Sequence, residues 1–145
     1  KATPEEITAT AAKLSDQSQK DKLHAAYANA QAHSDPKAGL NQLSSIKDPE
    51  LQMATARSIG GAAAMSGNAA AMNTWLETAI PNDTRDTAVA AFAAGMATKN
   101  PAEAAVWAGK ITNGVIRNET INALKNPPAP APAEPTPYRP GRRGR

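Results

Sequence analysis

Apolar positions in this chain recur on a cycle much longer than a helical turn. Leu14, Ile46, Ile80 and Ile111 stand ten or eleven residues after Pro4, Pro36, Ala69 and Pro101. Ala11, Leu43, Leu76 and Ala108 stand seven after the same positions. The two rows share one helical face and mark the buried side of a short first helix in each cycle. A further row, Tyr27, Ile59, Phe92 and Leu124, is spaced by 32, 33 and 32 residues and anchors a longer second helix. Polar residues set the boundaries. Thr3-Pro4, Asp35-Pro36, Asn68-Ala69 and Asn100-Pro101 each place a capping side chain before a residue suited to the first helical position. Thr3 with Glu6, and Asn100 with Glu103, have capping-box spacing. Turn residues fall between the two helices of each cycle, at Ser15-Asp16, Asp48-Pro49, Pro81-Asn82-Asp83 and Thr112-Asn113-Gly114.

The pattern predicts first helices near 4–14, 36–46, 69–79 and 101–111, and second helices near 17–33, 49–65, 84–98 and 115–125. No segment has the β-branched alternation of a strand. The expected fold is all-α: a right-handed α-solenoid of four helical hairpins over residues 1–125, in which each unit buries its apolar face on the next. The segment Asn100–Trp107, NPAEAAVW, with weaker copies at Asp35-Pro36 and Ala69–Trp75, resembles degenerate bacterial α-helical hairpin tandem repeats. Those are distantly like tetratricopeptide and HEAT arrays. The resemblance implies stacked hairpins and no particular activity. Thr10 and Gln42 stand where later units carry Trp75 and Trp107, so the first two units depart from the pattern.

Composition thins the expected core. The chain has one Phe, two Trp and two Tyr, and alanine supplies most of its apolar residues. Helices can then approach closely, but each contact buries little area. Charge separates the chain into two materials. Residues 1–125 hold twelve Lys/Arg and twelve Asp/Glu, whereas 126–145 hold four Arg against Glu134 alone. The charge balance therefore does not support a general nucleic-acid surface on the body. The tail, NPPAPAPAEPTPYRPGRRGR, carries seven of the twelve prolines and is expected to be extended unless bound. Without cysteine there is no disulfide, thiolate metal site or cysteine nucleophile. No apolar run reaches the ~18–20 residues of a membrane helix. The start at Lys1 is compatible with export to the periplasm after signal removal and equally with the cytoplasm.

Candidate chemistry is sparse. His24 and His33 lack the spacing that brings two imidazoles to one metal, and they read as solvated surface residues. Asp83 and Asp86, like Glu5 and Glu6, lie in first turns, where acids complement the helix dipole. Gly60 and Gly61 read as points of close helix approach rather than a phosphate loop. Trp75 and Trp107 share one repeat position and read as core, with an aromatic binding platform as the alternative. Tyr138, Arg139, Arg142, Arg143 and Arg145 form the other candidate contact. Arginine's planar fork pairs with phosphate or carboxylate at two points, although a merely solvated end accounts for the tail equally well. Neither metal nor cofactor is implied, and no catalytic triad is evident. The expected function is a non-catalytic protein-interaction or assembly module, an accessory or scaffold subunit with the basic tail as a second contact. The alternative is a nucleic-acid or ribonucleoprotein accessory factor that binds anionic surfaces through that tail.

Overall fold

Short and long helices alternate through the computed structural model, which describes residues 2–126. The eight helices are α1 (Pro4–Ala12), α2 (Gln17–Gln31), α3 (Pro36–Asn41), α4 (Pro49–Met65), α5 (Ala69–Leu76), α6 (Asp83–Met96), α7 (Pro101–Ala108) and α8 (Gly114–Lys125). No strand occurs among the described residues. The first helices stop a few residues earlier than expected, and a 3-10 turn at Leu43–Ser45 prolongs α3 toward its anticipated end. The candidate contact residues Tyr138, Arg139, Arg142, Arg143 and Arg145 lie outside the described residues.

Local capping explains most helix starts. The Thr3 hydroxyl accepts from the Glu6 N–H while the Glu6 carboxylate accepts from the Thr3 N–H, a complete capping box. Asp35 accepts from the Ala38 N–H, and Asn100 accepts from the Glu103 N–H. The second pair closes differently from the first. The Asn100 N–H already serves the Met96 carbonyl, so Glu103 takes the Asn100 side-chain amide instead. Asn68 makes no side-chain cap; its amide instead donates to the His33 carbonyl and the Ser66 hydroxyl.

Second helices pack in chain order, α2 on α4, α4 on α6 and α6 on α8. Two first helices each touch two second helices: α3 meets α2 and α4, while α7 meets α6 and α8. Phe92, Leu40, Ile46, Ile59, Met72 and Ile111 are the largest fully buried apolar side chains, and alanines fill the spaces between them. Trp107 is 3% exposed and meets Phe92 edge-on, with ring centroids 4.6 Å apart. Trp75 is also buried, at 7% exposure. Ile80 departs from its row, being 78% exposed. It stands eleven residues after its helix start where its counterparts stand ten, and Ala79 takes the partly buried place against the core. The extra residue in that connection turns Ile80 outward.

The closest pair is α4 with α6. A Cβ at Gly60 would collide with the Ala88 carbonyl oxygen, and one at Gly95 would lie 2.5 Å from the Ala64 Cβ. These two contacts advance together along both helices, so α4 and α6 run parallel. Gly61 differs from the sequence expectation: a Cβ there meets nothing within 4 Å. The outcomes of substitution should therefore be opposite. Gly61→Ala should gain about 0.5–1 kcal/mol of helix propensity. Gly60→Ala should lose more than it gains, about 1–3 kcal/mol net, because backbone must move to admit the methyl group. Denaturant unfolding of both variants checks this, and equal effects would contradict the packing.

Candidate functional site

Two buried carboxylates join successive helical pairs. Asp21 on α2 accepts from the N–H groups of Lys47 and Asp48, both at 2.9 Å, and from the Gln17 amide at 2.8 Å. Asp86 on α6 accepts from the N–H groups of Thr112 at 3.1 Å and Asn113 at 2.8 Å, and from the Thr112 hydroxyl at 2.8 Å. Arg85 adds a 3.0 Å ion pair to Asp86. The geometry repeats: each Asp lies six residues before the anchor of its helix, Tyr27 or Phe92, and reaches forward 26 and 27 residues. Each also holds the start of the following second helix, because Asp48 and Asn113 are the caps of α4 and α8.

The equivalent position on α4 is Met53, and the difference has a reason in the facing turn. Pro81 precedes the α6 cap there and has no N–H to give. A carboxylate would be left with too few donors. Met53 instead receives weak contacts from the Thr84 and Thr87 hydroxyls at 3.6 and 3.5 Å. Gln52 completes this junction, donating to the Leu43 and Ile46 carbonyls while accepting from the Thr84 hydroxyl at 2.7 Å.

These placements revise three sequence expectations. Asp86 is 0% exposed, so it is an interhelical tether and more than a first-turn complement to the dipole. Asp83 lies at the exposed edge of this tether, accepting from the Asn113 side-chain amide at 2.9 Å. His24 is buried rather than solvated, with Nδ1 2.8 Å from the Gln42 side-chain oxygen. Gln42 occupies the repeat position of the tryptophans, so a polar pair stands in the first interface where aromatic packing stands later. Spacing of Asp21 and Asp86 relative to Tyr27 and Phe92 was the one available signal for the tethers. It required knowing that the turns opposite present free N–H groups.

A second feature is concave. A trough of about 790 Å³ runs over α6 between α4 and α8. Its floor is small: Ala90, Ala91, Ala94 and Gly95, with Thr87 at one end. Met53, Arg57, Gly61 and Met65 line the α4 side, and Ile116, Glu119 and Thr120 the α8 side. Met65 is 72% exposed. Neither buried tryptophan lines this trough. Trp75 instead borders a smaller cleft of about 250 Å³ that also includes Leu43, Gln52, Ile80 and Arg85. Lys110 covers Trp107, with Nζ 4.5 Å from the ring centroid, and donates to Asn73 at 3.1 Å. Lys99 Nζ reaches the Ala64 and Met65 carbonyls at 3.3 and 3.0 Å, tying the end of α4 to the end of α6. No group of three or more His, Cys, Asp or Glu placed to hold a metal occurs among the described residues.

Burial works to raise the Asp86 pKa, but the Thr112 and Asn113 N–H groups, the Thr112 hydroxyl and Arg85 together hold it below the ordinary carboxylate value. For Asp21, burial is likewise outweighed, here by Lys47, Gln17, Asp48 and His24. A carboxyl that is more acidic folded than unfolded stabilises fully above the ordinary carboxylate range near ~4, and that contribution is lost as pH falls through the lower folded value. Asp86→Asn should therefore cost about 2–3 kcal/mol at neutral pH by removing a charged acceptor. The Asp21→Asn/Asp86→Asn protein should lose less stability on acidification than the parent. Thermal unfolding followed by circular dichroism across the acid range measures this, and identical acid sensitivity would assign it to other groups. No protein-family model, curated protein or solved structure matches this chain.

Proposed function

We propose that this protein is a non-catalytic interaction or assembly module whose helical pairs stack as a right-handed solenoid and receive a protein partner along the trough over α6. The observation that carries the reading is the trough itself: a concave, small-floored surface spanning three helices, with Met65 beside it largely exposed. The ordered packing of second helices and the repeated forward reach of Asp21 and Asp86 support the stacking. They fit the kinship to degenerate hairpin repeats suggested by the sequence. The two buried carboxylates are poor acid–base candidates because backbone donors occupy them.

The tail gives the second reading. Four arginines at 139, 142, 143 and 145 are the chain's only concentrated charge, beside a body of net zero. They favour an anionic partner, nucleic acid included, bound through residues 126–145. Salt separates the two readings. Binding to nucleic acid through these arginines should weaken as log salt rises with a slope of roughly −3 to −4. Docking in the trough should change little.

A photo-crosslinking residue at Ala94, on the exposed floor of the trough, should join the full chain to the protein that co-purifies with it. The same residue at Thr8, exposed on α1, should not. Crosslinking of that protein equally from both positions, or from Thr8 alone, would remove the trough from the binding surface.

A further inference from the structure

We infer that the occupant of the trough is a single amphipathic α-helix of a partner protein, seated on α6 and given its direction by Arg57 and Glu119. The inference rests on the interaction reading above and adds the form and charge pattern of the partner.

The chemistry of the floor selects a helix. An extended peptide adds to a sheet by pairing with free backbone N–H and C=O groups. Here the floor and both sides are α-helices, whose backbone groups in mid-helix are already paired. A polyproline segment needs aromatic ridges to dock between, and no aromatic residue among the described residues lines the trough. Small outward residues on α6 instead permit close approach of another helix, as Gly60 and Ala88 already do between α4 and α6. Large apolar side chains arriving at i, i+3, i+4 and i+7 would descend between Ala90, Ala91, Ala94 and Gly95. Met53 and Met65 on one side can reshape around them, since methionine is unbranched and flexible.

Charge fixes orientation. Arg57 on α4 and Glu119 on α8 are both exposed, face the trough from opposite sides, and make no ion pair among the described residues. A partner helix should carry acids along the flank nearer α4 and bases along the flank nearer α8. Reversing the helix exchanges its flanks, so only one direction satisfies both charges. Exposed pairs contribute little affinity, so their effect is on direction more than on strength.

The test uses the full chain and synthetic peptides of defined pattern. One 16-residue helical peptide carries leucine at i, i+3, i+4, i+7 and i+11 with glutamates on one flank and lysines on the other. A second has the same composition scrambled, and a third is residues 126–145 of this chain. Fluorescence anisotropy should show the striped peptide binding the chain at least about tenfold more tightly than the scrambled one. Ala94→Glu should remove that preference, while Thr8→Glu should leave it intact. A paramagnetic tag on the peptide N-terminus should broaden amide signals at one end of the trough, near Met53 or near Met65. The Arg57→Glu/Glu119→Arg protein should switch the affected end. Equal binding of striped and scrambled peptides, or broadening unmoved by the charge exchange, would overturn the inference. Occupation of the trough by the 126–145 peptide alone would also overturn it, yet leave the interaction reading standing if the Ala94 crosslink forms. Loss of both the crosslink and all peptide binding would sink the two together.

Discussion

The approach of α4 to α6 is the contact from which the rest of this architecture follows. With so few large side chains, the protein cannot hold its helices together by bulk. It gains attraction by shortening the distance between them. Gly60 lets the Ala88 carbonyl enter the surface of α4, and Gly95 makes room for Ala64 at the other end of the same seam. Two parallel helices brought this close bury a continuous row of alanines, and Ile59, Phe92 and Val89 fill what the alanines leave. The same economy creates the trough. The outer face of α6 carries Ala90, Ala91, Ala94 and Gly95, so its surface lies below the larger side chains that α4 and α8 present beside it.

Alanine packing is permissive, because smooth surfaces slide over one another with small changes in energy. The buried carboxylates supply the register that such surfaces lack. Each Asp fixes two successive backbone N–H groups in the next helical pair, and an offset of one residue would break that pairing and leave a buried carboxylate with only the donors of its own helix, Gln17 or Arg85. The cost of burying Asp86 is offset because its oxygens meet two backbone donors, a hydroxyl and Arg85. Where Pro81 removes one donor, the carboxylate gives way to Met53, and Gln52 with Thr84 makes the link instead. Specificity here comes from a few directional bonds imposed on a nearly featureless core.

The same packing leaves a broad, largely apolar trough over α6, flanked by Arg57 and Glu119, which make no ion pair among the described residues; under the interaction reading proposed above it would serve recognition. The trough would present width and shape, and its two charges would set orientation. The buried tryptophans contribute to this only indirectly. Trp107, locked between Phe92 and Lys110, holds α7 against α6 and so supports the helix that forms the floor.

By itself the sequence determined the number of helices, their alternation of short and long, and most of their starting points. Those properties are local: Thr3, Asp35 and Asn100 bond within three residues of themselves, and helical period repeats within one segment. The large residues at Ile59, Phe92 and Ile111 were legible as core for the same reason. The tertiary structure decided which polar and small residues lie between helices. Nothing local distinguishes Asp86 in a first turn from Asp83 beside it, or Gly60 from Gly61. The difference is made by an atom 26 residues away in one case and by the Ala88 carbonyl in the other. His24 and Ile80 exchanged their expected places likewise, one drawn inward by Gln42 and the other turned out by a single added residue. The trough belongs wholly to this second kind of information. It depends on the relative height of three helices, which interhelical distance sets and periodicity along one helix cannot encode.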